Sequence, residues 1–110
     1  MDVAFATEKL AKVMNNDSQL IRTYGADLAK RIRRRLDELQ DAETLGDLRT
    51  LPGRCEELTG DRAGQLSVRV SANDRLIFRP NHDPRPEKED GGLDWTQVTA
   101  VEVIEVVDYH

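Results

Sequence analysis

Gln65-Leu66-Ser67-Val68-Arg69-Val70-Ser71-Ala72-Asn73-Asp74-Arg75-Leu76-Ile77-Phe78-Arg79 decides the fold. Its first six residues alternate. Leu66, Val68 and Val70 share one side and Gln65, Ser67 and Arg69 the other, the period-two pattern of a half-buried strand. Residues 71–74 are turn material and residues 75–79 read as the next strand, so the segment is part of an antiparallel meander.

Upstream, residues 55–58 predict a short strand and residues 60–64 a turn, while Pro52-Gly53 closes a helical turn over 47–53. Further back the period changes. Leu20, Ile21, Tyr24, Leu28, Ile32, Leu36 and Leu39 recur every three or four residues, predicting a helix from Asp17 or Ser18, either able to cap it, to about Gln40. Gly25 inside that stripe costs about 1 kcal/mol against Ala, which packing can offset. Asn15-Asn16-Asp17 separates it from a shorter helix over 8–14, for which Thr7 is the N-cap. Residues 2–6 alternate weakly as an opening strand. Downstream, residues 80–94 form a loop rich in Pro, Gly and charge, expected to be a mobile surface excursion that Trp95 anchors to the core. A β-branched run from Val98 to Val107 then ends in Asp108-Tyr109-His110. Strand, helices, then three or four antiparallel strands make an α+β domain of two layers. The N-terminal strand and helices pack on an antiparallel sheet of about four to five strands.

At 110 residues the chain is expected to be a single domain, 1–110, with one modest core. No apolar run approaches twenty residues and no basic-then-apolar leader is present, so neither a membrane span nor a signal peptide is expected, and the cytoplasm is the expected location. The lone Cys55 agrees with a reducing compartment and reads as a small buried strand residue. The only histidines are His82 and His110 and no paired spacing points to zinc, so no metal and no cofactor are expected. His82 reads as an exposed bystander in its loop.

A net charge of −5 argues mildly against nucleic acid, but the charge is segregated. Lys30, Arg31, Arg33, Arg34 and Arg35 form one basic group, which the helical spacing explains as a solvated face. Arg62, Arg69, Arg75, Arg79 and Arg85 form another across the meander, and arginine favours bidentate phosphate contacts. The closing Asp108, Tyr109 and His110 can hold, donate and accept protons near neutral pH.

Four segments in this order carry a resemblance: Leu51-Pro52-Gly53-Arg54; Leu58-Thr59-Gly60-Asp61-Arg62-Ala63-Gly64-Gln65-Leu66-Ser67-Val68; Asp74-Arg75-Leu76-Ile77-Phe78; and Glu105-Val106-Val107-Asp108-Tyr109-His110. Together they resemble the RelE/ParE superfamily of bacterial toxins, in its host-inhibition-of-growth (HigB-like) branch. The resemblance implies a type II toxin–antitoxin toxin with a RelE-like fold. It further implies a ribosome-dependent, metal-independent endoribonuclease that cleaves mRNA and so inhibits translation. Its implied partners are the ribosome, mRNA and a helix-turn-helix antitoxin of the HigA-like kind, with no membrane contact and no direct DNA binding. Carried over, the catalytic positions are His110, Tyr109, Asp108 and Arg75, and Arg62 is a phosphate or ribosomal RNA contact; Arg69 and Arg79 on the same meander join it.

The residue types suit metal-free RNA cleavage, which needs a base for the 2′-hydroxyl, an acid for the leaving 5′-oxygen and cations for the growing charge. The chain also departs from the family pattern. Where members carry His and Lys ahead of the Gly-Asp turn, this chain has Glu56 and Thr59. Glu56 is then the candidate base, and Thr59 supplies no charge. These departures and the acidic balance keep a second reading open, a non-catalytic growth inhibitor acting by protein binding, as the gyrase-directed ParE-like members do.

Overall fold

Gly25 splits the long apolar stripe into two helices where the sequence predicts one. In the computed structural model, which describes residues 1–108, the N-terminal half holds β1 (Asp2–Phe5), α1 (Glu8–Met14), α2 (Asp17–Tyr24) and α3 (Ala26–Asp41). Gly25 takes φ +86°, a region that favours glycine. Its N–H donates to Ile21 O at 2.8 Å to close α2, and its carbonyl accepts from Ala29 N–H at 3.0 Å to open α3. The apolar period continues across the break, and Leu20 on α2 with Ile32, Leu36 and Leu39 on α3 are buried as expected; Ala29 joins them, Tyr24 and Leu28 are half-buried, and Ile21 is exposed. The α2 cap is Asn16, one residue before the expected Asp17 or Ser18, its Oδ1 accepting from Gln19 N–H at 3.1 Å. Thr7 caps α1 as expected, accepting from Leu10 N–H at 3.0 Å.

The remaining strands are β2 (Glu56–Glu57), β3 (Leu66–Arg69), β4 (Asp74–Pro80) and β5 (Ala100–Asp108), with short 3₁₀ turns at Leu45–Thr50, Gly60–Arg62 and Trp95–Gln97. The sheet order is β1-β5-β4-β3-β2. From β2 to β5 every pairing is antiparallel, but β1 runs parallel to β5, so the sheet is mixed rather than wholly antiparallel. The two partners stand at opposite ends of the chain, a pairing that local alternation cannot reveal.

The helices cover one face. Leu66, Val68, Leu76, Phe78, Val101 and Val103 project into that layer and meet the helical stripe in one cluster. Each fully buried Leu, Ile or Phe contributes about 1.5–3 kcal/mol. α3 also clasps the end of β3. Arg35 Nε donates to Arg69 O at 2.7 Å, and a Cβ at Gly53 would come within 3.3 Å of the Arg35 side chain and Val68 Cβ.

The 81–94 segment is tied down at several points. Glu87 and Leu93 form an isolated antiparallel bridge, Leu93 and Trp95 are buried, and Thr99 N–H donates to His82 Nε2 at 3.1 Å. The expectation that His82 is a bystander is therefore corrected: its imidazole anchors the loop to the residue before β5. Trp95 anchors the loop as expected. It also donates from Nε1 to Glu57 Oε2 at 3.1 Å and lies 4.2 Å beneath the Arg49 guanidinium, pinning the edge strand β2.

Candidate active face

The face away from the helices is organised in rows set by strand register. One row runs Glu56, Ser67, Ile77, Glu105; the next places Arg69 opposite Arg75, and Arg75 opposite Val107; a third pairs Arg79 with Glu102. Arg69 and Arg75 are the informative pair. Directly opposed residues on antiparallel strands have Cα atoms about 4.5–5.5 Å apart, and like charges there are destabilising. Arg69 is exposed, and among the described residues its side chain has no hydrogen-bond or ion-pair partner. Arg75 is half-buried and folded back on the β3–β4 turn, its Nη1 donating to Ser71 O at 3.3 Å and Asp74 O at 3.2 Å. That turn is braced by Ser71 Oγ donating to Asp74 Oδ2 at 2.7 Å.

A third cation, Arg54, stands beside them and was not singled out from the sequence as a site residue. It is exposed with φ +49°, a left-handed conformation rare for arginine, and Arg69 N–H donates to the carbonyl of the preceding Gly53 at 2.7 Å. Like Arg69, its side chain has no partner among the described residues. The signal in the sequence is the Pro-Gly-Arg turn that delivers the chain to the β2 edge.

The other candidates are distributed as follows. Glu56 is on the same side of the sheet as Arg75 but two strands and one row away, about 12 Å between Cα atoms at ordinary strand spacing. It is exposed and unpartnered among the described residues. Arg62 reaches across β3 and β4 from its 3₁₀ turn: Nη1 donates to Gln65 Oε1 at 2.9 Å, and both Nη1 and Nη2 stand 3.5 Å from Glu105 Oε2. Ile77, between Ser67 and Glu105 in the same row, is fully buried although it belongs to this face. Arg79 is held by Glu102, Nε at 2.9 Å and Nη2 at 2.6 Å from one oxygen. Asp108 pairs in register with Asp74, and strand alternation puts it with Leu76 and Val106 on the helix side, out of the Arg75 row. Tyr109 and His110 lie outside the described residues. Cys55 lies under β2 against the core, and burial, with Glu56 and Glu57 adding to it and Arg49 opposing, pushes its thiol up to about 12. It is no nucleophile at neutral pH.

This arrangement offers an anion Arg54 and Arg69, whose side chains have no partner among the described residues, beside the turn-held Arg75, with the Glu56 carboxylate across from them. Among the described residues no helix is long and apolar enough to cross a membrane.

Comparison with known proteins gives the family and the fold. The family model described as the RelE-like toxin of the type II toxin–antitoxin system HigB matches residues 3–84. No curated protein matches. Among solved structures, the YoeB/ParE toxin from Agrobacterium tumefaciens is similar over 100% of both chains, at 17% identity and a TM-score of 0.56. A chain of the YoeB-YefM complex from Staphylococcus aureus is similar over 100% of this chain and 97% of its own, at 14% identity and a TM-score of 0.56. At such identities the likeness is one of fold.

Proposed function

Since the chain belongs to the HigB-like toxins, the RelE-like toxins of type II toxin–antitoxin systems, we propose that it is an endoribonuclease that cleaves mRNA on the ribosome through its open sheet face. The observation that carries this reading is the Arg69–Arg75 pair. Two directly opposed guanidinium groups are stabilised when a phosphate binds against both, and arginine suits bidentate contact with its oxygens.

The mechanism uses the RNA's own 2′-hydroxyl. Glu56 accepts its proton as the 2′-oxygen attacks phosphorus, and the bond from phosphorus to the 5′-oxygen breaks as His110 supplies a proton to that oxygen. The products are a 2′,3′-cyclic phosphate and a free 5′-hydroxyl. Arg75, held by the turn carbonyls, and Arg69 neutralise charge on the non-bridging oxygens, where preorganised donors act most strongly. Tyr109 stacks on a base or donates to the phosphate. Asp108 acts indirectly by orienting its neighbours. The ribosome supplies the positioning that an acidic protein of this size lacks. A cognate antitoxin partner follows from the toxin class; a helix-turn-helix, DNA-binding antitoxin is the kind proposed, with action in the cytoplasm and no DNA contact by the toxin itself.

Inducible expression of the wild type, Arg75→Ala and His110→Ala, with primer extension on cellular mRNA, tests the reading. Growth arrest and discrete mRNA cuts from the wild type, absent from both variants, are expected. Cleavage that survives both substitutions would defeat it. Growth arrest without any cleavage would instead favour the non-catalytic, protein-binding reading, to which the acidic β2 edge is suited.

A further inference from the structure

Two arginine–glutamate pairs cross the open face, and they are built differently. Arg79 and Glu102 make a tight contact, with 2.9 and 2.6 Å separations typical of a charge-assisted hydrogen bond. Arg62 and Glu105 do not: two guanidinium nitrogens share one carboxylate oxygen, each at 3.5 Å. Arg62 does not need Glu105 to stay in place. Gln65 Oε1 holds Nη1 at 2.9 Å. Glu105 is also one row from Arg75 on the adjacent strand, a diagonal neighbour about 7–8 Å away. A carboxylate there faces whatever anion the arginines hold.

We propose that Glu105 is an internal counter-ion that occupies Arg62 in place of a phosphate and so weakens the grip of this face on free RNA. This rests on the reading of the open face as an RNA-binding surface and names a specificity-determining residue on it. An incoming phosphate competes with a loose internal carboxylate for Arg62 and is repelled by that carboxylate on the way in. RNA held in place by other contacts, as on a ribosome, meets the face at high effective concentration and overcomes the competition; a free strand does not. Glu105 is thus a positioning and selecting residue, with no proton to move in the reaction.

The test is the salt dependence of binding of a fluorescein-labelled single-stranded RNA to the purified chain by anisotropy. Glu105→Gln keeps the shape and removes the charge. Arg62→Met keeps an unbranched apolar stem and removes the guanidinium. Glu89→Gln, on the 81–94 loop, measures the effect of one lost negative charge in general. Glu105→Gln is expected to tighten binding several-fold more than Glu89→Gln does. It should also make the slope of log K against log salt about 0.7 more negative, one additional phosphate contact on a single strand. Both gains should vanish when Glu105→Gln is combined with Arg62→Met. Tightening no greater than that of Glu89→Gln, or gains that persist without Arg62, would overturn the proposal. If wild-type binding is unaffected by Arg69→Ala combined with Arg75→Ala, the open face is not the RNA surface and the proposal falls with that reading. Thermal midpoints within a few degrees of the wild type show that each variant is folded.

Discussion

Helix α3 and the open sheet face both carry arginines, and they treat them in opposite ways. On α3, Arg31 pairs with Asp27 at 3.6 Å, Arg33 with Asp37 at 3.1 Å, and Arg35 with Glu38, all at helical spacings of three or four. Only Arg34 of that run has no partner among the described residues. On the sheet, Arg69 faces Arg75 across the hairpin and Arg54 stands nearby. A solvated helix disperses its charge through acids one turn away. The hairpin instead sets two guanidinium groups opposite one another, an arrangement that the proposed RNA phosphate would stabilise.

Substitutions can break or sharpen that contrast, ranked by their effect on RNA cleavage. Arg75→Ala should reduce ribosome-dependent cleavage by about 100- to 1000-fold, the usual loss when a preorganised donor to developing charge is removed. Its thermal midpoint should stay close to the wild type. Arg69→Thr should lose about 10- to 100-fold in cleavage while gaining about 0.2–1 kcal/mol in denaturant stability, because a like-charge pair is relieved. A loss in both would contradict the contrast. Arg33→Ala removes the Asp37 pair and the donation from Nη1 to Met14 O at 3.0 Å. It should destabilise by about 0.5–1.5 kcal/mol, seen in urea unfolding, with cleavage unchanged.

Cys55→Ala should leave cleavage untouched, and the wild-type thiol should resist iodoacetamide at pH 8. Its alkaline signature has a definite sign. The folded thiol sits near 12 against an ordinary 9.0, so above pH 9 the unfolded chain releases a proton that the folded chain keeps. The stability from this site is complete below pH 9 and is lost as pH rises toward 12, a decline that Cys55→Ala should flatten.

The sequence disclosed whatever depended on local period. The α3 stripe, the alternation through Val68, and the Thr7 cap are each set by residues within a turn or two of one another. Gly25 shows the limit. The apolar spacing runs through it unbroken, and only the backbone conformation reveals that the chain turns there. Long-range pairings were equally hidden. Neither the parallel match of β1 to β5 nor the reach of Arg62 to Glu105 leaves a mark in either segment alone. At the site, Arg69 was legible because strand alternation fixes its side, while Arg75 and Glu56 came from the resemblance and the register puts them on the same face. Asp108 was placed by motif, yet its register opposite Asp74 turns it to the helix side. Arg54 escaped notice because its place depends on a left-handed turn and a hydrogen bond from Arg69.

The central claim is that the sheet arginines, not the helix arginines, act on RNA. Single-turnover cleavage of an mRNA programmed on purified ribosomes, comparing Arg69→Ala with Arg31→Ala, measures it directly. The account predicts a fall of at least about tenfold for Arg69→Ala and a rate indistinguishable from wild type for Arg31→Ala. Equal losses in the two variants, or a loss confined to Arg31→Ala, would contradict it.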